Sequence, residues 1–223
     1  MNLTKIYILL LMYFIGVLAC KKTNSTKNIS NLQFNKELSN QLIKMAELDQ
    51  LAAAPFKQEK FKTLERYKTF KDSVFRINKI KIEKIFNQYN YPGINLVGVD
   101  GERSFWLMTQ HCDFDYSFQK KILTSLKIEV ERGNAKPSHL ALLTDRININ
   151  QEKKQIYGTQ VSYNKYGQAF PKPLKDSFNV DNRRKAVGLI SLKEYLNNMT
   201  ISHFNMNKKN YIKKGVLKPK IYK

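Results

Sequence analysis

Apolar residues recur at close to helical spacing over two long stretches of this chain, and proline closes each stretch. From Phe34 to Ala54 they are Leu38, Leu42, Met45, Leu48 and Leu51, followed by Pro55. From Phe61 to Tyr89 they are Leu64, Tyr67, Phe70, Val74, Ile77, Ile80 and Ile85, followed by Pro92-Gly93. A repeat near ~3.6 residues lines one helical face, and proline bars helical backbone in the residue before it. Two such faces must be covered, and further helices are the simplest cover.

The rest of the chain supplies them. Ile94 to Gly98 reads as a short extended or turn segment, and Gly101 to His111 as a helix. Tyr116 to Arg132 is another, with Asp115 placed to cap it and Gly133 after its end. Pro137 opens a short helix that ends near Asp145. The period then changes: Arg146 to Asn150 alternates apolar and polar, and Gln155 to Val161 follows a polar turn, which reads as a β-hairpin. Ser162 to Asn179 is a loop with Gly167, Pro171 and Pro173. Asp181 caps a short helix ending at Gly188, and Ser191 to Glu194 forms a capping box for a last helix to about Asn198. The expected fold is mainly α, a helical domain with one small β-hairpin.

The N-terminus is of another kind. Lys5 precedes an apolar run from Ile6 to Ile15, and Gly16-Val17-Leu18-Ala19-Cys20 follows. This is the charged, apolar and small-residue order of an export signal, and the run is short of the about 20 residues a membrane span needs. Val17 to Cys20 resembles a lipobox, which implies cleavage before Cys20 and lipid on that cysteine. The expected organisation is a signal peptide over 1–19, a polar tether over 20–33, one helical domain over 34–198 and a basic tail over 199–223. The expected location is the bacterial cell envelope, lipid-anchored. No acidic cluster follows Cys20, which favours a periplasm-facing position.

With Cys20 taken by lipid, Cys112 is left alone and no internal disulfide can form. The chain carries 39 Lys and Arg against 18 Asp and Glu, a net +21. Much of the excess lies between Lys57 and Lys84 and after Thr200. No nucleic-acid motif accompanies it, and an exported chain meets little nucleic acid. An anionic lipid or polymer surface is the partner such a balance suits, alongside the membrane reached through Cys20. No cofactor-binding motif is present.

Three polar clusters sit at the ends of apolar elements: Trp106 to Asp113, His139 to Arg146, and Gln155 to Gln160. Quoted as motifs they are Gln110-His111-x-Asp113, Leu143-x-Asp145-Arg146 and Gln155-x-Tyr157-Gly158-Thr159-Gln160, followed by Val180-Asp181-x-Arg183-Arg184 and Gly188. In this order they resemble an uncharacterised bacterial domain family of unknown function, over roughly Glu37 to Leu196. Tyr91-Pro92-Gly93 and the stretch from Met45 to Asp49-Gln50 look like earlier landmarks of that family. Cys112 departs from the pattern, where Ala is commoner, and so does Ala52-Ala53-Ala54, where an Arg is expected. The resemblance implies no reaction.

The chemistry must then be read from side chains. Histidine is the usual general base near neutral pH, and His111 takes that role if a carboxylate, Asp113 or Asp145, orients it. Arg146, Arg183 and Arg184 have the fork geometry that clamps anions, and Gln110, Gln155, Tyr157 and Gln160 complete a candidate ligand set. A metal reading would use His111, Asp113, Asp145 and His139, without the tight spacing of zinc sites. Such residues at element ends also serve as a purely structural network of satisfied polar groups. The expected function is a membrane-tethered envelope lipoprotein, a binding or structural module. The alternative is a hydrolase-like enzyme using His111 with Asp113 or Asp145.

Overall fold

Asn35 starts the fold: its Oδ1 accepts the Leu38 amide at 2.9 Å and opens helix α1, Lys36–Ala53. The structure is a computed structural model describing residues 33–55 and 57–223; the expected signal segment and Cys20 lie outside the described residues. The described residues belong to one compact unit. Ala54 is extended (ψ 151°), as the following Pro55 requires. After the single turn of α2, Gln58–Phe61, Thr63 caps the long helix α3, Leu64–Tyr89.

The inward face of α3 is Tyr67, Val74, Phe75, Asn78, Ile82, Ile85 and Phe86. Leu64, Ile77 and Ile80, expected inward, are exposed. The error has a physical cause. A polar residue, Asn78, occupies the buried stripe, so a search for apolar residues alone slides off it.

Helix α4 runs over Ile94–Gln110, with a break at Gly98 (φ 71°, ψ 175°). Ile94 to Val97 is therefore helical, correcting the expected extended or turn segment, and Gly98 is the break. Its start is capped from afar: the Asn134 carbonyl accepts Ile94 N–H at 2.8 Å, and Asn134 Oδ1 accepts Asn95 N–H at 2.7 Å. Gly93 makes that approach possible, since a Cβ there would lie 2.2 Å from the Asn134 side chain and 2.7 Å from its carbonyl oxygen.

Asp115 caps α5, Tyr116–Glu131, through Phe118 N–H. Helix α6 starts with Pro137 at its first turn and extends to Asn150. Arg146 to Asn150 is thus helix, where a strand was expected. Buried and half-buried residues alternate along α6 because neighbours enclose most of its circumference, so its sequence period is masked. The strands are β1, Val161–Tyr163, and β2, Ala169–Pro171, paired antiparallel with Ser162 opposite Phe170. Gln155 to Gln160 is a hydrogen-bonded loop, and the hairpin lies in the stretch read as loop.

Helix α7 is Val180–Ala186. Asp181 does not cap it. Its carboxylate instead accepts the Leu192 amide at 2.6 Å, at the start of α8, Leu192–Met206. Ser191 caps α8 through Glu194 N–H, as the capping box predicts. The helix does not stop near Asn198: buried Thr200 and Phe204 carry its inner face onward. Thr200 Oγ1 accepts Ala169 N–H at 2.9 Å, fastening α8 to β2. A short helix α9, Lys208–Lys213, follows.

The described residues are mainly helical with one two-stranded hairpin. The main core joins α1, α3, α4, α5 and α6 through Leu42, Ile82, Phe105, Ile122, Leu126 and Leu143. Leu126 is fully buried. Leu126→Ala is expected to cost about 2–5 kcal/mol by lost transfer energy and a residual cavity. Urea unfolding checks this: the midpoint should fall with the slope unchanged.

Candidate functional site

Helix α1 carries one carboxylate on its buried stripe, Asp49, spaced a turn from Met45 and from Ala52. Its Oδ2 lies 2.5 Å from His111 Nδ1, and its Oδ1 accepts Asn78 Nδ2 at 3.1 Å. His111 follows α4 as its C-cap, and its ring stacks on Phe75 at 4.7 Å and 17°. Asp49 is sealed from solvent, while the His111 side chain is 17% exposed. A carboxylate at Nδ1 fixes the neutral imidazole with its proton on that nitrogen, leaving the Nε2 lone pair free to accept. Among the described residues no hydrogen bond reaches Nε2. Asp49 is therefore the orienting carboxylate, and neither Asp113 nor Asp145 bonds to His111.

Asp113 is engaged elsewhere. Arg146 grips it at both oxygens (2.8 and 2.6 Å), and Asn150 and Gln119 add bonds at 2.8 and 3.2 Å. Burial pushes the Asp113 carboxyl up, but the Arg146 bonds and charge, with Gln119 and Asn150, hold it below the usual aspartate range. Gln119 also donates to the Thr109 and Gln110 carbonyls, tying the C-terminus of α4 to α5. The Gln110 side-chain amide has no hydrogen-bond partner among the described residues.

Asp145, fully buried on α6, holds the following loop. It accepts the backbone amides of Ile156, Tyr157 and Thr159 at 2.6–3.1 Å and the Thr159 hydroxyl at 3.1 Å. Gln155 closes the same loop, donating to the Gln160 and Lys172 carbonyls and accepting Gln160 N–H, each at 2.9 Å. Gln160 Nε2 donates to the Thr159 hydroxyl at 3.2 Å. Arg183 donates to the Ile156, Lys175 and Asp176 carbonyls and pairs with the Asp176 carboxylate. Arg184, buried, donates to the Ile190 and Tyr157 carbonyls and lies 4.9 Å over the Tyr195 ring. Burial draws its guanidinium below the ordinary value, against the pull of Tyr195, Asp181 and Asp145. Burial raises the Tyr157 phenol. The structure gathers Asp145, Gln155, Tyr157, Gln160, Arg183 and Arg184 around one loop, where Asp145, Gln155, Arg183 and Arg184 bond largely to backbone.

A second histidine pair lies in the core, where sequence reading did not place one. Glu102 Oε1 accepts Tyr91 O–H at 2.6 Å and meets His139 Nδ1 at 3.0 Å. Trp106 stacks on His139 at 4.0 Å and 9° and donates Nε1–H to its carbonyl. Glu102 Oε2 is buried and has no hydrogen-bond partner among the described residues. Burial, then Glu102, pushes the Tyr91 phenol well above its ordinary value. The available signal was a charged residue on an apolar helical stripe, shared by Asp49 and Glu102.

Among the described residues no three His, Cys, Asp or Glu side chains are grouped to hold a metal. His111, His139, Asp113 and Asp145 sit in four separate arrangements. Cys112 is buried, and burial pushes its thiol up to about 12, with Asp49 and Asp115 adding to the rise. A thiol so placed is a poor nucleophile.

Two outcomes test these roles. Asp145→Ala is expected to cost about 3 kcal/mol or more, since each buried amide left unpaired costs about 1–3 kcal/mol; denaturant midpoints measure it. Asp113 has a native pKa below its unfolded value. Its stabilisation is complete above roughly pH 4 and is lost as pH falls through the native value. Arg146→Met should flatten that part of the acid-unfolding curve relative to the parent.

No curated protein and no solved structure matches this chain. A family model does, over residues 36–205, most of the chain. The span takes in Asp49, Glu102, His111, His139 and the Asp145 loop, and the chain belongs to DUF6624, a family of unknown function.

Proposed function

We propose that this protein is a lipid-tethered bacterial envelope protein whose helical domain is a binding module, with His111 as the group offered to a ligand. The observation that carries the binding site is the Asp49–His111 pair. A sealed carboxylate, held by Asn78, fixes an imidazole whose side chain is partly exposed and whose ring is braced by Phe75. Fixing such a group before a ligand arrives removes part of the ordering cost of binding. Nε2 is an acceptor in that tautomer, so the favoured ligand carries an N–H or O–H donor. The tether rests on the sequence Val17-Leu18-Ala19-Cys20 after an apolar run. Among the described residues no helix is long and apolar enough to cross a membrane, so lipid on Cys20 would be the means of attachment.

The same pair supports a second reading, a hydrolase-like activity. Nε2 would take a proton from water while Asp49 stabilises the imidazolium, a general-base role worth about a hundredfold to ten-thousandfold in rate. This reading keeps His111 and replaces Asp113 and Asp145 with Asp49.

Three measurements separate these ideas. Cys20→Ser is expected to abolish palmitate labelling and release the protein from the membrane fraction; retained label would sink the tether. A thermal-shift screen of hydrogen-bond-donating solutes should give hits that fail with His111→Ala, folding of the variant having been checked by circular dichroism. A ligand at a hundred times its Kd stabilises by about 2.7 kcal/mol, well within reach of the method. Hits that shift parent and variant equally would remove His111 from the site. For the second reading, equal turnover of a hydrolase substrate by parent and His111→Ala would exclude the general base.

A further inference from the structure

The C-terminal stretch is not a loose solvated tail. Tyr211 of α9 seats over Gly167 of the β1–β2 turn, where a Cβ would come within 2.6 Å of the ring. Its hydroxyl meets His203 Nε2 at 2.9 Å, and His203 stacks on Tyr163 at 3.7 Å. Beyond α9, Tyr222 exchanges hydrogen bonds with the Asn197 side chain, and its hydroxyl donates to the Ala169 carbonyl at 2.8 Å. The segment between is thereby drawn back beside the hairpin, and Lys220 lies over the Tyr166 ring at 5.5 Å.

This arrangement builds a bay of about 460 Å³ between Tyr166 and the segment from Lys214 to Lys220. Its character is amphipathic. Leu217 is 75% exposed and Ile221 51%, with Ile212 and Phe170 also open to solvent. Lys214, Lys218 and Lys220 are exposed among them. No acidic side chain follows Glu194 in the chain. Ordering a segment costs about 1–2 kcal/mol per residue. Here that cost is met while leucine and isoleucine are left facing water, which a merely solvated tail has no reason to do.

The geometry points to a docking surface for an anionic lipid bilayer, formed by Leu217 and Ile221 with Lys214, Lys218 and Lys220. Charge complementarity selects anionic head groups, and the interleaved apolar side chains select an interface with an oily interior beneath them. A soluble polyanion would use the lysines and leave Leu217 idle. The inference draws on the proposed tether only for proximity: the peptide from Cys20 to Asn35 can span at most ~50 Å, so the domain would remain beside the bilayer.

The test uses the chain from Lys21, which lacks any lipid and keeps the whole compact unit, so its result is independent of Cys20 and of His111. Co-sedimentation is measured with phosphatidylcholine vesicles with and without phosphatidylglycerol. Binding to the anionic vesicles only, weakened by salt, is expected. The triple variant Lys214→Glu, Lys218→Glu, Lys220→Glu should bind about tenfold or more weakly, and Leu217→Asp should also weaken binding, with unchanged circular dichroism and melting temperature in both. Absence of binding by the parent, or binding untouched by both variants, would overturn the inference. So would loss with the lysine variant alone while Leu217→Asp binds normally and polyphosphate competes fully, which would assign the surface to a soluble anionic polymer.

Discussion

One carboxylate joins the two ends of this domain. Asp145 stands on α6, inside the helical half, and receives three backbone amides and a hydroxyl from the loop that leads to the hairpin. That loop in turn accepts Arg184 through Tyr157 and the Tyr195 hydroxyl through Thr159. Helices α7 and α8 are therefore placed by a chain of bonds that begins at one side chain. A buried carboxylate without those amides would face several kcal/mol of desolvation cost, so the loop and the helix stabilise each other.

The two histidine–carboxylate pairs differ in what surrounds them. Glu102 and His139 are sealed between Tyr91 and Trp106, where the pair is a polar knot in the core. Asp49 and His111 are sealed only on the carboxylate side. Chemistry needs both a fixed group and an approach to it. Only the second pair has both, which is why the proposed function rests there, although both pairs use the same residue types.

How much was legible in the sequence follows from what periodicity can and cannot carry. The helical fold was legible because Pro55, Pro92-Gly93, Asp115 and Ser191 mark real ends, and their caps are in place. The hairpin was misplaced because α6 is enclosed nearly all round, so Ile147 and Ile149 imitate the alternation of a strand. Asn78, Asp49 and Glu102 were missed by stripe counting, since each is a polar residue at an apolar position. That exception is itself the signal: a buried charge must have a partner, and a histidine elsewhere in the sequence is a good candidate. The motif residues around Asp145 were seen to belong together, but sequence alone does not reveal whether polar atoms point at backbone or at open space.

The closure at Tyr222 has a consequence for how the hairpin is held. The main core is contained in α1 to α6, whereas the bonds that clasp the hairpin to α8 from outside, through Asn197 and Ala169, come from Tyr222. A protease nick between α9 and Tyr222 would therefore leave the core intact and release the hairpin from that clasp.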